Sequence, residues 1–212
     1  VPDRFNRFAR RLVRKFVLRP LGHGHPVPKA ALDAEYRNGH WDHFASEIER
    51  PRYEKLAQLI ADLGPAQPAV LDLGCGSGRL AVLLQARPLS RYLGVDLSTE
   101  GLARARNLHL PRMEFVEADF ETWRPPGAFD VIVFNESIGY ARDPAALLRA
   151  FRGHLQPGGL IFISQFRFGN YQALWRRMLR TGEVVRGEVV TATDGKSIWD
   201  FRALRPGSPA SR

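Results

Sequence analysis

Cysteine is nearly absent from this chain: Cys75 is the single thiol in 212 residues. One thiol excludes an internal disulfide framework and any thiolate metal cluster, and its expected role is that of a small buried residue. Such scarcity accords with a reducing compartment, so the expected location is cytoplasmic. Long apolar runs are absent too, and no stretch has the uninterrupted length of a signal peptide core or a membrane span. There is no internal repeat and no sign of a second domain. Acidic residues are scarce at the amino terminus, where positions 1–20 hold seven Arg or Lys residues against Asp3 alone. That arm carries +6 of the net +9, so the rest of the chain is close to balanced at +3. His23, His25, His40 and His43 lie near one another in sequence, but no carboxylate or cysteine completes a ligand set, and no metal site is expected.

What the chain does have is centred on Val70-Leu71-Asp72-Leu73-Gly74-Cys75-Gly76-Ser77-Gly78. The apolar run from Ala69 to Leu73 reads as a buried strand that breaks into a glycine-rich turn, with a helix starting at Arg79. Glycine at 74, 76 and 78 lets the main chain approach a ligand and take positive φ. The spacing alone leaves a dinucleotide, a nucleoside or a plain tight turn open. It departs from the dinucleotide fingerprint, because Arg79 stands where a third glycine belongs. A second strand, Tyr92 to Asp96, ends in a carboxylate about twenty residues beyond the loop, where a ribose diol would be gripped.

VLDLGCGSG followed by YLGVDLS resembles the first two motifs of class I S-adenosylmethionine-dependent methyltransferases. The resemblance covers roughly residues 50–204. It implies an α/β fold, a Rossmann-like seven-stranded, mostly parallel sheet with helices on both faces and a closing antiparallel hairpin. It also implies S-adenosylmethionine as cofactor and S-adenosylhomocysteine as product. Carried onto this sequence, Gly74, Gly76 and Gly78 admit the methionine end, and Asp72 orients the loop and a nearby water or ammonium group. Asp96, followed by Leu97, takes the ribose. Asp119 accepts from the adenine amino group, Phe120 packs on the ring, and Asn135 lies near the methionine end. Glu136, at the exit of the fourth strand, is the candidate base or acceptor-aligning group, and Tyr140 is the second candidate at the acceptor. Asn135-Glu136 is not Asn-Pro-Pro-Tyr, and no cysteine follows a proline, which counts against a nucleobase target.

The remaining segments divide the chain into 1–50, 51–204 and a tail at 205–212. Phe5, Phe8, Leu12, Phe16 and Val17 recur at helical spacing between arginines, predicting a basic amphipathic helix over 4–18. It could pack on the domain or build an oligomer, contact a membrane peripherally, or bind a phosphate-rich partner. Residues 29–50 form a second preliminary segment whose Tyr36 and Trp41 are either lid residues over the cofactor or packing for the segment itself. Pro51 to Leu63 predicts a helix, Ser98 an N-cap for a helix over 99–107, and Pro144 to Leu155 another helix. Gln156 to Gly159 predicts a turn into a strand over 160–164, and Asp194-Gly195 a hairpin between strands over 183–192 and 197–203. The expected activity is methyl transfer to a small-molecule acceptor, a hydroxyl of a secondary metabolite or of a sugar or glycan intermediate, with nucleic acid disfavoured. An RNA methyltransferase using the basic arm, and a non-catalytic S-adenosylmethionine-binding protein, are the alternatives.

Overall fold

The computed structural model describes residues 13–207, with the backbone alone at 14 and 15. Seven strands form one sheet in the order β3-β2-β1-β4-β5-β7-β6. They are β1 Ala69–Leu73, β2 Arg91–Asp96, β3 Met113–Glu117, β4 Phe129–Asn135, β5 Leu155–Phe166, β6 Gly182–Thr191 and β7 Ile198–Pro206. Strands β1 to β5 are parallel, and β7 inserts antiparallel between β5 and β6. The helices are α1 Lys29–Arg37, α2 Arg50–Leu63, α3 Arg79–Leu84, α4 Thr99–Arg106, α5 Pro144–Arg152 and α6 Tyr171–Met178.

Alternation along the central strands builds two cores, because successive side chains leave a strand on opposite faces. Val70, Val131 and Val133 pack with Tyr53, Leu56 and Ile60 of α2 and with Leu80 and Leu84 of α3. Leu71, Leu73, Ile132 and Phe134 pack with Leu147, Leu148 and Phe151 of α5 and with Trp175 and Met178 of α6. Burial on both faces is why these strands read as continuous apolar runs. The reversal of strand order between β1 and β4 leaves a crevice at the carboxyl ends of both.

Local chemistry sets the helix ends. Ser98 caps α4 as expected, its Oγ accepting from the Gly101 N–H (3.0 Å). Asp143 caps α5, accepting from the Ala145 and Ala146 N–H groups at 3.1 Å each, with Pro144 pre-set at the first helical position. The Arg177 guanidinium donates to the same carboxylate and holds it down at about 2.

Some boundaries differ from expectation. Helix α5 stops at Arg152, and β5 already begins at Leu155. The segment 156–159 is therefore an irregularity within β5 and not a separate turn. Its register against β4 shifts between Phe129 and Val131, and Gly158 supplies the left-handed backbone this bulge requires (φ +83°). Strand β7 continues to Pro206, where Gly182 pairs with it, so the strand takes in two residues expected in the tail. Of the predicted amphipathic helix, residues 4–12 lie outside the described residues, and Arg14–Leu18 form a single wide helical turn. Residues 208–212 also lie outside. No helix among the described residues is long and apolar enough to cross a membrane.

Candidate active site

The glycine loop leaves β1 and is fastened to the end of β2. The Gly74 and Cys75 N–H groups donate to the Val95 carbonyl (2.7 and 3.0 Å), and the Gly76 N–H donates to Asp96 Oδ2 (2.8 Å). The other oxygen of Asp96 accepts from the Ser98 N–H (2.8 Å). Asp96 is thus the residue that orients the loop, a task the sequence assigned to Asp72. Asp72 lies one layer deeper, with Oδ2 accepting from the Tyr92 hydroxyl (2.7 Å). Burial pushes its carboxyl up to about 7, and its Oδ1 is buried without a partner. Burial also raises Asp96, against the pull of the backbone N–H groups that face it. Cys75 is buried, as its size suggests, with Sγ against the face of Gly94.

The three glycines divide in role. A Cβ on Gly74 would meet Ser137 Cβ at 2.3 Å, and one on Gly76 would meet Tyr36 Oη at 2.6 Å. Both glycines border open space beside the loop. Gly78 does not: its left-handed backbone (φ +77°) starts α3, and its open face packs on Ala105 of α4 and on Leu108 just beyond that helix. Gly78 therefore shapes the loop without touching the cavity.

A cavity of about 590 Å³ opens over the carboxyl ends of β1, β2 and β4, within the usual range for small-molecule sites. It brings together Gly74, Asp96, Leu97, Asp119, Phe120, Asn135, Glu136 and Tyr140 on one side, with Tyr36 and Trp41 on the other. Segment 26–44 forms the roof. Tyr36 is buried with its ring on Gly101, and its hydroxyl is pushed well up by burial. Trp41 stacks toward Phe44 (5.1 Å between centroids), and its Nε1 is buried without a partner. The roof is latched to the sheet: Lys29 bridges Asp33 and Glu117 (3.2 Å each), Arg37 pairs with Glu100 (3.0 Å), and the Ser98 hydroxyl donates to Asp33 (2.7 Å). On the far wall Asp119 Oδ1 accepts from the Glu121 N–H (2.9 Å), and Phe120 meets Phe134 edge-on.

Glu136 sits at φ +60°, a backbone conformation that costs a non-glycine residue about 1–3 kcal/mol. Its own N–H donates to Ser164 Oγ (3.0 Å), Oε1 is bonded to the Ser164 hydroxyl (2.8 Å), and Oε2 accepts from the Phe166 N–H (2.8 Å). Burial raises its carboxyl above the ordinary glutamate value. Tyr140, on the short helical turn Ile138–Tyr140, is pushed up to about 12 by burial. The histidines near one another in sequence make separate contacts: His23 Nδ1 lies 2.9 Å from the Arg142 carbonyl, and His43 Nδ1 lies 2.7 Å from the carbonyl of His40, whose ring meets that of His43 edge-on.

Sequence reasoning missed Arg52. It is almost wholly buried, donating from Nε to Glu49 Oε2 (2.8 Å) and from Nη1 to Asn135 Oδ1 (2.7 Å). Its Nη2 lies 2.7 Å from the same glutamate oxygen but out of line for a hydrogen bond. Arg52, Asp72, Gly74, Gly76 and Asn135 border a smaller cavity of about 50 Å³ beneath the loop. The available signal was register. Position 52 stands four residues before Leu56 and eight before Ile60, on the stripe that α2 buries.

Residues 44–200 match the family described as a methyltransferase domain. A trans-aconitate 2-methyltransferase of Azoarcus sp. (strain BH72) is 38% identical over 138 residues, 65% of this chain and 52% of that protein. One from Escherichia coli (strain K12 / DH10B) is 38% identical over 122 residues, 57% and 47% of the two chains. The chain thus spans about half the length of these curated relatives. Among solved structures, the N-methyltransferase NodS from Bradyrhizobium japonicum WM9 in complex with S-adenosyl-L-homocysteine superposes with a TM-score of 0.72. The match is at 17% identity and covers 85% of this chain and 98% of that one. The [4+2]-cyclase SpnF superposes at 0.63 with 16% identity, covering 87% and 100%. One architecture therefore carries different chemistries among its neighbours. The chain belongs to the methyltransferase-domain family and has the seven-stranded Rossmann-like fold of class I S-adenosylmethionine-dependent methyltransferases.

Proposed function

We propose that this chain methylates a hydroxyl oxygen of a small molecule, with S-adenosylmethionine as donor and S-adenosylhomocysteine as product. The orphaned atoms beneath the glycine loop fit the donor's amino-acid end. Asp72 Oδ1 is an acceptor without a donor, and Arg52 Nη2 carries N–H groups without an acceptor. An ammonium and a carboxylate satisfy this pair. Asp96 is assigned to the ribose, Leu97, Asp119 and Phe120 to the adenine side, Asn135 to the methionine end, and Tyr36 and Trp41 to the roof. Bound S-adenosylmethionine supplies an electrophilic methyl group on a sulfonium centre. The cavity walls hold donor and acceptor in line and exclude water. Glu136 takes the hydroxyl proton as the oxygen–methyl bond forms and the sulfur–methyl bond breaks, and Tyr140 flanks the acceptor.

The observation that carries this reading is the fixed carboxylate of Glu136, strained in backbone and anchored at both oxygens on the wall of the same cavity as Asp96. A carboxylate acceptor is the second reading, favoured by the names of the trans-aconitate relatives. Charge opposes it. The cavity wall carries Asp96, Asp119, Glu121 and Glu136 against Lys29 and Arg142, and both cations are already paired, Lys29 with Asp33 and Glu117 and Arg142 with Glu121. A polycarboxylate would enter a negative field with no free cation on the cavity wall among the described residues, whereas a neutral hydroxyl compound such as a secondary metabolite or a sugar intermediate would not.

The test is calorimetric titration with S-adenosylmethionine and, separately, S-adenosylhomocysteine, followed by a labelled-methyl screen of hydroxyl and carboxyl acceptors. Saturable binding that Asp96→Ala abolishes, with methyl ether products, is expected. Well-folded protein that binds neither compound, or that yields methyl esters alone, overturns the assignment.

A further inference from the structure

Ten large apolar side chains are exposed among the described residues, and six of them fall in two short segments. Val13, Phe16, Val17 and Leu21 lie in the first, Phe166 and Phe168 in the second, with Phe168 78% and Phe16 65% exposed. The two segments are joined. Asn170 Nδ2 donates to the Arg19 carbonyl (3.0 Å) and to that of His23 (3.3 Å), and the Arg19 guanidinium reaches over Gly169. Gly22 lies flat on α6, where a Cβ would strike the Ala173 carbonyl. Phe166 and Phe168 stack on each other with centroids 6.4 Å apart.

Both segments are basic in sequence, and Asp200 and Asp143 pair with two of their arginines, Arg167 and Arg177. No acidic residue occurs from Arg4 to Leu32, a stretch with eight arginines and lysines, nor from Phe166 to Gly182, where Arg167, Arg176, Arg177 and Arg180 lie. Arg19, Arg176 and Arg180 have no acidic partner among the described residues. Exposed aromatic and aliphatic tips on segments that also carry the unpaired Arg19, Arg176 and Arg180 match an anionic lipid surface. Each apolar tip gains by leaving water, and each cation gains near the headgroups. The location gives such a contact a purpose. The first segment runs on through His25, whose N–H donates to the Gly139 carbonyl (2.7 Å), into the cavity roof at Pro26. The Phe166 N–H in the second holds Glu136 at the cavity wall (2.8 Å).

We infer that the face built from residues 13–21 and 166–168 docks the protein on an anionic bilayer and turns the mouth of the cavity toward the membrane interface. This does not rest on methyl transfer, since binding is measured without cofactor or acceptor. The test is co-sedimentation of the full chain with vesicles of phosphatidylcholine alone and of phosphatidylcholine with phosphatidylglycerol. Binding is expected on the anionic vesicles only, falling as salt rises. The paired substitution Leu21→Ser and Phe168→Ser, at two exposed positions, is expected to weaken it about tenfold or more, with an unchanged melting temperature. No vesicle binding overturns the inference. So does binding that the pair leaves unaltered, which makes the contact a matter of charge alone. A preference for single-stranded RNA over vesicles, or a concentration-dependent dimer that the pair dissolves, assigns the face to another partner and also overturns it.

Discussion

Replacing Glu136 by Gln separates the chemistry of its carboxylate from its structural role. The amide has the same shape, and its oxygen can still accept from the Phe166 N–H while its NH2 faces Ser164 Oγ, so the two 2.8 Å contacts survive. The left-handed backbone is also unchanged. What goes is the ability to take a proton. Loss of a positioned general base lowers kcat by about 10²–10⁴-fold, a barrier increase of about 3–5 kcal/mol. Affinity for S-adenosylhomocysteine, whose proposed contacts lie at Asp72, Asp96 and Arg52, is expected to stay within about twofold.

The pH profile sharpens the test. Burial raises the Glu136 carboxyl in the folded protein. A base works only when ionised, so kcat/KM of the native protein rises with pH through that elevated value, and the Gln variant lacks this limb. Stability moves the opposite way. A carboxyl raised on folding contributes stability that is present below its unfolded value and lost as pH rises through its folded value. The Gln variant, which never ionises, is therefore no less stable at neutral pH and gains on the native protein as pH rises. The assay is labelled-methyl transfer across pH, with thermal melting and calorimetric titration alongside. A variant that turns over at the native rate across pH refutes the base assignment. A variant whose melting temperature and product affinity fall together with its rate refutes it too, because Glu136 then acts as a brace.

Two further perturbations probe the floor beneath the loop. Asp72→Asn keeps the acceptor for the Tyr92 hydroxyl and removes a buried carboxyl pushed up to about 7. Native and variant melting temperatures are expected to agree below about pH 4, where the carboxyl is protonated folded and unfolded, and to diverge in the variant's favour as pH rises to about 7, by up to about 4 kcal/mol of stability; a gap that is constant with pH refutes the burial argument. Arg52→Met leaves Glu49 buried beside an apolar chain and is expected to cost about 3–5 kcal/mol in urea unfolding. It should also weaken S-adenosylhomocysteine binding more than tenfold; native affinity in a folded variant removes Arg52 from the cofactor site.

The sheet and the glycine-loop end of it are legible in the residue order. Apolar runs at Ala69–Leu73 and Phe129–Asn135, glycines at 74 and 76 and the carboxylate at 96 are local signals, because strand burial, positive φ and the N-cap at Ser98 depend on the nearest few residues. How these pieces share work is set by contacts between residues distant in the chain. Which carboxylate holds the loop depends on strand register: β1 pairs Asp72 with Gly94 and Leu73 with Val95, so Asp72 lies under the sheet's end and Asp96 reaches Gly76. Whether Tyr36 and Trp41 are roof or filler depends on the docking of α1 against α4, set by Lys29, Asp33 and Arg37 and partners some 60 to 90 residues away. Arg52 reads as a surface cation on a helix until Asn135, 83 residues on, closes over it. Burial, and with it every raised carboxyl in the site, is a property of neighbours that are distant in the chain, and the order of residues alone does not say which neighbours those are.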